Sequence, residues 1–164
     1  MKFGIFDYID QVAGQSLART YDERFALVRA AEAAGFHGYH VTEHHFTPLS
    51  GTPSPSVFLA ALARETRTIR LGALLFLLPM YNLARLIEEL CLLDHLSHWR
   101  LEIGVGRGIS PHEFATLGLD VDKAQEQFDE AMEVLVKGLT QEKLDHRGRH
   151  YQFENVPMVW KPLQ

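Results

Sequence analysis

Short apolar runs alternate along this chain with apolar residues at helical spacing, and the alternation predicts an α/β fold. Lys2-Phe3-Gly4-Ile5-Phe6-Asp7 reads as a first strand. Thr20 and Glu23 have capping-box spacing, and Phe25, Val28, Ala31 and Glu32 follow at helical intervals until Gly35 stops the helix. Residues 37–42 form a second strand, and Ser54 before Pro55 supplies the cap and first-turn pair of a helix running to Arg64. Ile69 to Phe76 is nearly all apolar, the pattern of a parallel strand covered on both faces. Asn82 caps a helix with Leu83, Leu86, Leu90 and Leu93 on one face. Leu101 to Val105 is a fourth strand. Ser110-Pro111 opens a short helix, and Asp122 a longer one with Phe128, Met132, Leu135 and Leu139 facing inward. The tail from Leu144 to Trp160, with Arg147-Gly148 between extended segments, reads as a β-hairpin.

Four βα units in succession fit two architectures. An open doubly wound sheet is complete with four. A (β/α)₈ barrel needs about 250 residues, so the 164 residues taken alone favour the open sheet. No linker or low-complexity stretch divides the chain.

Composition narrows the function classes. A 46% apolar and 23% charged chain is globular rather than disordered. Its net charge of −5 comes without a basic stripe, which argues against a nucleic-acid partner. The longest apolar run, Leu71 to Pro79, is too short to span a bilayer, and the N-terminus, with Asp7 and Asp10, does not read as a signal peptide. Cys91, the single cysteine, sits among leucines as a core thiol, with no disulfide framework. A cytoplasmic protein without a membrane partner is expected.

Chemistry concentrates in two places. Glu43-His44-His45-Phe46 stands at the tip of the second strand, and the carboxyl ends of parallel strands are where α/β proteins open cavities. Adjacent histidines at a strand end point apart, and the chain has no His-x-His or Cys-x-x-Cys, so no metal site is expected. The second place is Gly104-Val105-Gly106-Arg107-Gly108. Its spacing is not that of a dinucleotide fingerprint, and both a tight turn with a surface arginine and an anion site remain open. Without a Gly-x-Ser-x-Gly elbow, nucleophilic hydrolysis has little support.

Taken in order, Glu43-His44-His45-Phe46-Thr47, Leu74-Leu75, Leu77-Leu78-Pro79, Arg85 with Glu88-Glu89, Leu93-Asp94 and Gly104 to Gly108 resemble the bacterial luciferase-like family of flavin-dependent oxidoreductases. The likeness runs from Met1 to Gln164. It implies a partial (β/α)₈ TIM barrel: residues 1–164 as the N-terminal half, four βα units plus a C-terminal β-hairpin, with strands five to eight absent. It implies a monooxygenase using reduced FMN and oxygen on a small organic substrate such as an aldehyde, with a flavin reductase as the source of reduced FMN. In that resemblance His44 is the catalytic residue and Arg107 a ligand of the flavin phosphate. Phe6, Glu43, His45, Gly106 and Ile109 surround the isoalloxazine ring, and Leu74-Leu75 is a non-proline cis peptide beneath it.

The chain departs from the family at Gln125, where an arginine usually makes a second phosphate contact, at Asn82-Leu83 in place of His-Pro, and at His98-Trp99 in place of a glycine-containing turn. The same resemblance admits two alternatives, a deazaflavin (F420)-dependent dehydrogenase and a non-catalytic half-barrel that binds or assembles. Apolar residues on the second and third helices and the uncovered barrel edges lead to the expectation of a homodimer.

Overall fold

A computed structural model describes residues 1–164. The elements run β1 (Gly4–Asp7), α1 (Leu17–Ala33), β2 (Gly38–Val41), α2 (Pro55–Glu65), β3 (Arg70–Leu77), α3 (Leu83–Ser97), β4 (Leu101–Gly106), α4 (Pro111–Thr116), α5 (Ala124–Thr140), β5 (Lys143–Arg147) and β6 (Gln152–Pro157). They form two compact units, Met1–Phe76 with Leu96–Val105, and Leu77–His95 with Gly106–Gln164.

The first unit carries a four-stranded sheet in the order β1-β2-β3-β4. Gly4 lies opposite Gly38 and Asp7 opposite Val41, while Gly38 also faces Arg70 and Val41 faces Ala73, all in parallel register. A doubly wound sheet requires a reversal of strand order. This sheet has none, so the open-sheet reading favoured by length gives way to the partial barrel. Tyr39, Val41, Leu71 and Ala73 are fully buried, with Val28 of α1 and Leu59 and Leu62 of α2. Beyond half-buried Arg70 at its start, β3 departs from two-sided burial at Leu74 and Leu75, 41% and 39% exposed.

Helix α1 starts earlier than the capping-box pattern suggests. Ser16 is its N-cap, accepting from the Arg19 N–H at 3.3 Å, and the buried Thr20 lies inside the first turn, where its hydroxyl donates back to the Ser16 carbonyl. Serine and threonine four residues apart offer equal cap chemistry. Burial of Thr20 decides between them.

The amino-terminal ends of the strands are closed by two charged groups. Arg100, 7% exposed, donates to the carbonyls of Ser97, Ile69, Ala63 and Thr66 and to the Thr66 hydroxyl. Glu32, from the last turn of α1, accepts the backbone N–H groups of Arg67, Thr68 and Ile69 at 2.6–2.9 Å. Burial alone would raise its pKa. The three N–H groups and the Thr68 hydroxyl outweigh that and hold it at about 2.

In the second unit the Asn82 side chain accepts from the Arg85 N–H, capping α3 as its sequence predicts. Leu83, Leu86, Leu90 and Leu93 are buried, with Ile87 and Cys91 beside them. Burial pushes the Cys91 thiol pKa up, as expected of a core cysteine. The buried face of α5 is Ala124, Ala131, Val134, Leu135 and Gly138, and of the four residues expected there only Leu135 is buried. The reason is steric. A Cβ on Gly138 would stand 2.3 Å from Ile87 Cδ1, so α5 meets Ile87 of α3 at a glycine, while Phe128, Met132 and Leu139 are half-buried. The antiparallel pair β5–β6 forms the expected hairpin, whose turn is held by Glu130 accepting from the N–H groups of Arg149, His150 and Tyr151.

Candidate active site

Carboxyl ends of parallel strands share one edge of the sheet, and the loops beyond β1 and β2 emerge there in the first unit. The β2 loop is stitched from inside. Thr42 N–H donates to the Asp7 carbonyl, its hydroxyl donates to Ser50 Oγ at 2.8 Å, and Thr42, Ser50 and Thr52 are all buried. This frame presents Glu43, His44 and His45.

The two histidines have different surroundings, as expected for neighbours on an extended chain. Glu43 is 3% exposed, and its carboxylate meets His45 Nε2 at 2.7 Å. A buried carboxylate needs such a partner, because an uncompensated charge there is expensive to desolvate. His44 lies instead against Tyr8, with ring centroids 6.3 Å apart and planes 13° from parallel. Phe6 packs on Tyr8 edge-on at 5.3 Å. The structure therefore brings Phe6 and His44 into one run of rings, joined by Tyr8. Phe6 and Tyr8 are 50% and 43% exposed, an unusual state for large aromatic groups.

Leu74 and Leu75 begin one residue beyond the Val41–Ala73 pair, at the level where the β2 loop starts. The peptide between them is cis, as the resemblance implies. Gly104 makes room for this arrangement: a Cβ there would stand 2.5 Å from the Ala73 carbonyl oxygen and 2.6 Å from Leu74 Cδ2. Phe76, the third apolar residue of the stretch, is fully buried.

The remaining expected residues belong to the second unit. Gly106 ends β4 and is buried, Arg107 is exposed, and Ile109 is 75% exposed ahead of α4. Arg107 forms no ion pair, unlike Arg70, Arg85 and Arg149, each of which meets a glutamate. Gln125, where the family usually has arginine, donates to Asp129 on its own helix.

These groups fit a flavin by their chemistry. An exposed apolar and aromatic surface suits a flat ring system, the imidazole beside it is a proton donor or acceptor, and in the second unit a guanidinium outside any ion pair suits a phosphate. Sequence reasoning missed Tyr8. Its signal was position: an aromatic residue directly after the first strand falls on the edge that bears the Glu-His-His loop.

Comparisons with known proteins agree with this fold. A family model described as luciferase-like monooxygenase matches residues 1–164. Protein y4wF of Sinorhizobium fredii is 42% identical over 164 residues, covering 100% of this chain and 48% of that protein. The oxygenase component of the flavin-dependent trigonelline monooxygenase of Acinetobacter baylyi is 29% identical, covering 100% of this chain and 46% of the relative. Monooxygenase RslO1 of Streptomyces bottropensis superposes with a TM-score of 0.95 at 32% identity, over 100% of this chain and 50% of that one. The chain thus spans about half the length of the relatives it matches. No helix is long and apolar enough to cross a membrane. With its sequential parallel sheet and a match over every residue, this chain belongs to the luciferase-like monooxygenase family.

Proposed function

We propose that residues 1–164 form the N-terminal half of a luciferase-like barrel and carry the flavin-facing residues of an FMN-dependent monooxygenase. The observation that carries this reading is the exposed run Phe6–Tyr8–His44 at the strand ends, level with exposed Leu74 and Leu75. Reduced flavin, when bound, supplies the electrons that activate oxygen for transfer to a substrate. The chain's own residues do the rest. Phe6, Leu74 and Leu75 of the first unit offer the ring an apolar surface that excludes water, while Gly106 and Ile109 of the second unit match positions that the family resemblance assigns to the flavin. Glu43 holds His45 in place, and His44 donates or takes a proton at a ring nitrogen beside the reacting atoms. Arg107 pairs with the phosphate. The substrate is a small organic molecule such as an aldehyde. The oxygenase component of the trigonelline monooxygenase, a relative, supports a separate flavin reductase as partner. Val57 of α2 and Leu92 of α3, 70% and 58% exposed, support self-association as a homodimer.

The test is oxygen consumption with chemically reduced FMN and a long-chain aldehyde, run beside reduction of F420 with an alcohol, for the wild-type chain and His44→Ala. Oxygen-dependent product that His44→Ala loses supports the proposal. F420 reduction without oxygen chemistry would replace it with a dehydrogenase. Failure of both, with no FMN bound, would leave a binding or assembly half-barrel.

A further inference from the structure

We infer that Tyr8 is a positioning residue for His44, holding the imidazole plane by stacking; the functional weight of this role rests on the reading of His44 given above. Tyr8 lies outside the residues that the family resemblance picks out. Its ring is nearly parallel to that of His44 and is backed on its own edge by Phe6. Offset stacking of this kind adds an orientation preference to ordinary burial.

The second observation is how firmly the Tyr8 backbone is fixed. Gly51 N–H reaches the carbonyls of both Tyr8 and Ile9, at 3.2 Å each. Ile9 is fully buried at φ +51°, a left-handed conformation that a β-branched residue rarely takes. Its N–H is held by Asp7 Oδ1 at 2.8 Å, and Asp7 in turn accepts from the Tyr39 hydroxyl at 2.7 Å and pairs with Arg24 at 2.9 Å. Tyr21 fixes the other side of Gly51 by donating to its carbonyl at 2.7 Å. A 43% exposed side chain thus stands on a strained base held by several hydrogen bonds. A loop that needed only to connect β1 to α1 has no use for that strain. One that must hold a ring in register does.

Without the Tyr8 ring, the imidazole loses the stacking contact that favours one ring plane. Small losses of alignment reduce turnover strongly while leaving cofactor affinity nearly unchanged.

The experiment compares wild type, Tyr8→Phe and Tyr8→Leu by aromatic proton–carbon NMR of the flavin-free chain. The His44 Cε1–H signal is identified by its loss in His44→Ala. The expected result is a ring-current displacement of that signal in wild type and Tyr8→Phe, and its disappearance in Tyr8→Leu at unchanged unfolding midpoint. An unmoved signal in folded Tyr8→Leu overturns the inference. Should Tyr8→Leu fail to fold, Tyr8→Met gives the same comparison with a flexible chain in place of a ring. In turnover with reduced FMN, Tyr8→Leu lowers kcat about tenfold with KM for flavin within about twofold, and Tyr8→Phe restores it. Loss in Tyr8→Phe equal to that in Tyr8→Leu would assign the effect to the hydroxyl and overturn stacking as the cause. If His44→Ala keeps full turnover, the catalytic reading of His44 falls, while the NMR comparison still decides whether Tyr8 orients that ring.

Discussion

The two ends of the parallel sheet are built on opposite terms. At the amino-terminal end, Arg100 makes five hydrogen bonds in near-complete burial, and Glu32 gathers three backbone N–H groups from the turn before β3. At the carboxyl end, Phe6, Tyr8, Leu74 and Leu75 stand between 39% and 50% exposed, beside a loop whose buried Thr42 and Ser50 hydroxyls bond to each other. One end spends its chemistry on holding the strands together. The other leaves flat apolar surface and an imidazole without full cover, which is how a fold reserves an end for a ligand.

The comparison breaks first, and hardest, at Arg100. Replacing it by methionine strands four buried carbonyls and a hydroxyl, with an expected loss of about 3–4 kcal/mol in urea unfolding. A loss under about 1 kcal/mol would mean that the amino-terminal end is not the structural one. Next comes Gly104→Ala, whose Cβ meets the Ala73 carbonyl oxygen; overpacking of this kind costs about 1–3 kcal/mol, readable as a lower midpoint.

Glu32→Gln follows at about 1–2 kcal/mol near pH 7, discounted because the carboxylate is partly open to solvent. Its folded pKa is depressed, so the stabilisation is present above the ordinary carboxylate range and fades as pH falls toward about 2. Wild-type and variant stabilities should therefore converge in acid, and parallel curves down to pH 2 would show that the charge is not the cause. The smallest stability effect is at the other end. Phe6→Ala should shift unfolding by no more than about 0.5 kcal/mol, yet weaken FMN binding about tenfold. A large stability loss with unchanged binding would reverse the assignment of the two ends.

Much of the carboxyl end was legible in the sequence because parallel strands impose it. Once four βα units are read, the residues after each strand share an edge, and Glu43 to His45 follow from that rule, whereas Phe6, inside β1, came from resemblance. The cis bond at Leu74-Leu75 came from resemblance alone, since no proline marks it. The clamps were hidden for a plain reason: Glu32 binds a turn 35–37 residues away, through backbone groups that every residue owns. The inward face of α5 was misread because three of its five buried residues are alanine or glycine, which carry little weight in an apolar pattern. Tyr8, directly after β1, obeys the same edge rule and was overlooked because no family-motif residue drew attention to that loop.

The most direct measurement is a titration of the purified chain with FMN, followed by flavin fluorescence, for wild type, Arg107→Ala and Glu32→Gln. Saturable binding that Arg107→Ala weakens by about tenfold or more, and that Glu32→Gln leaves alone, is the predicted result. Equal affinity for wild type and Arg107→Ala, or weakening by Glu32→Gln alone, would contradict the placement of the flavin at the carboxyl ends of the strands.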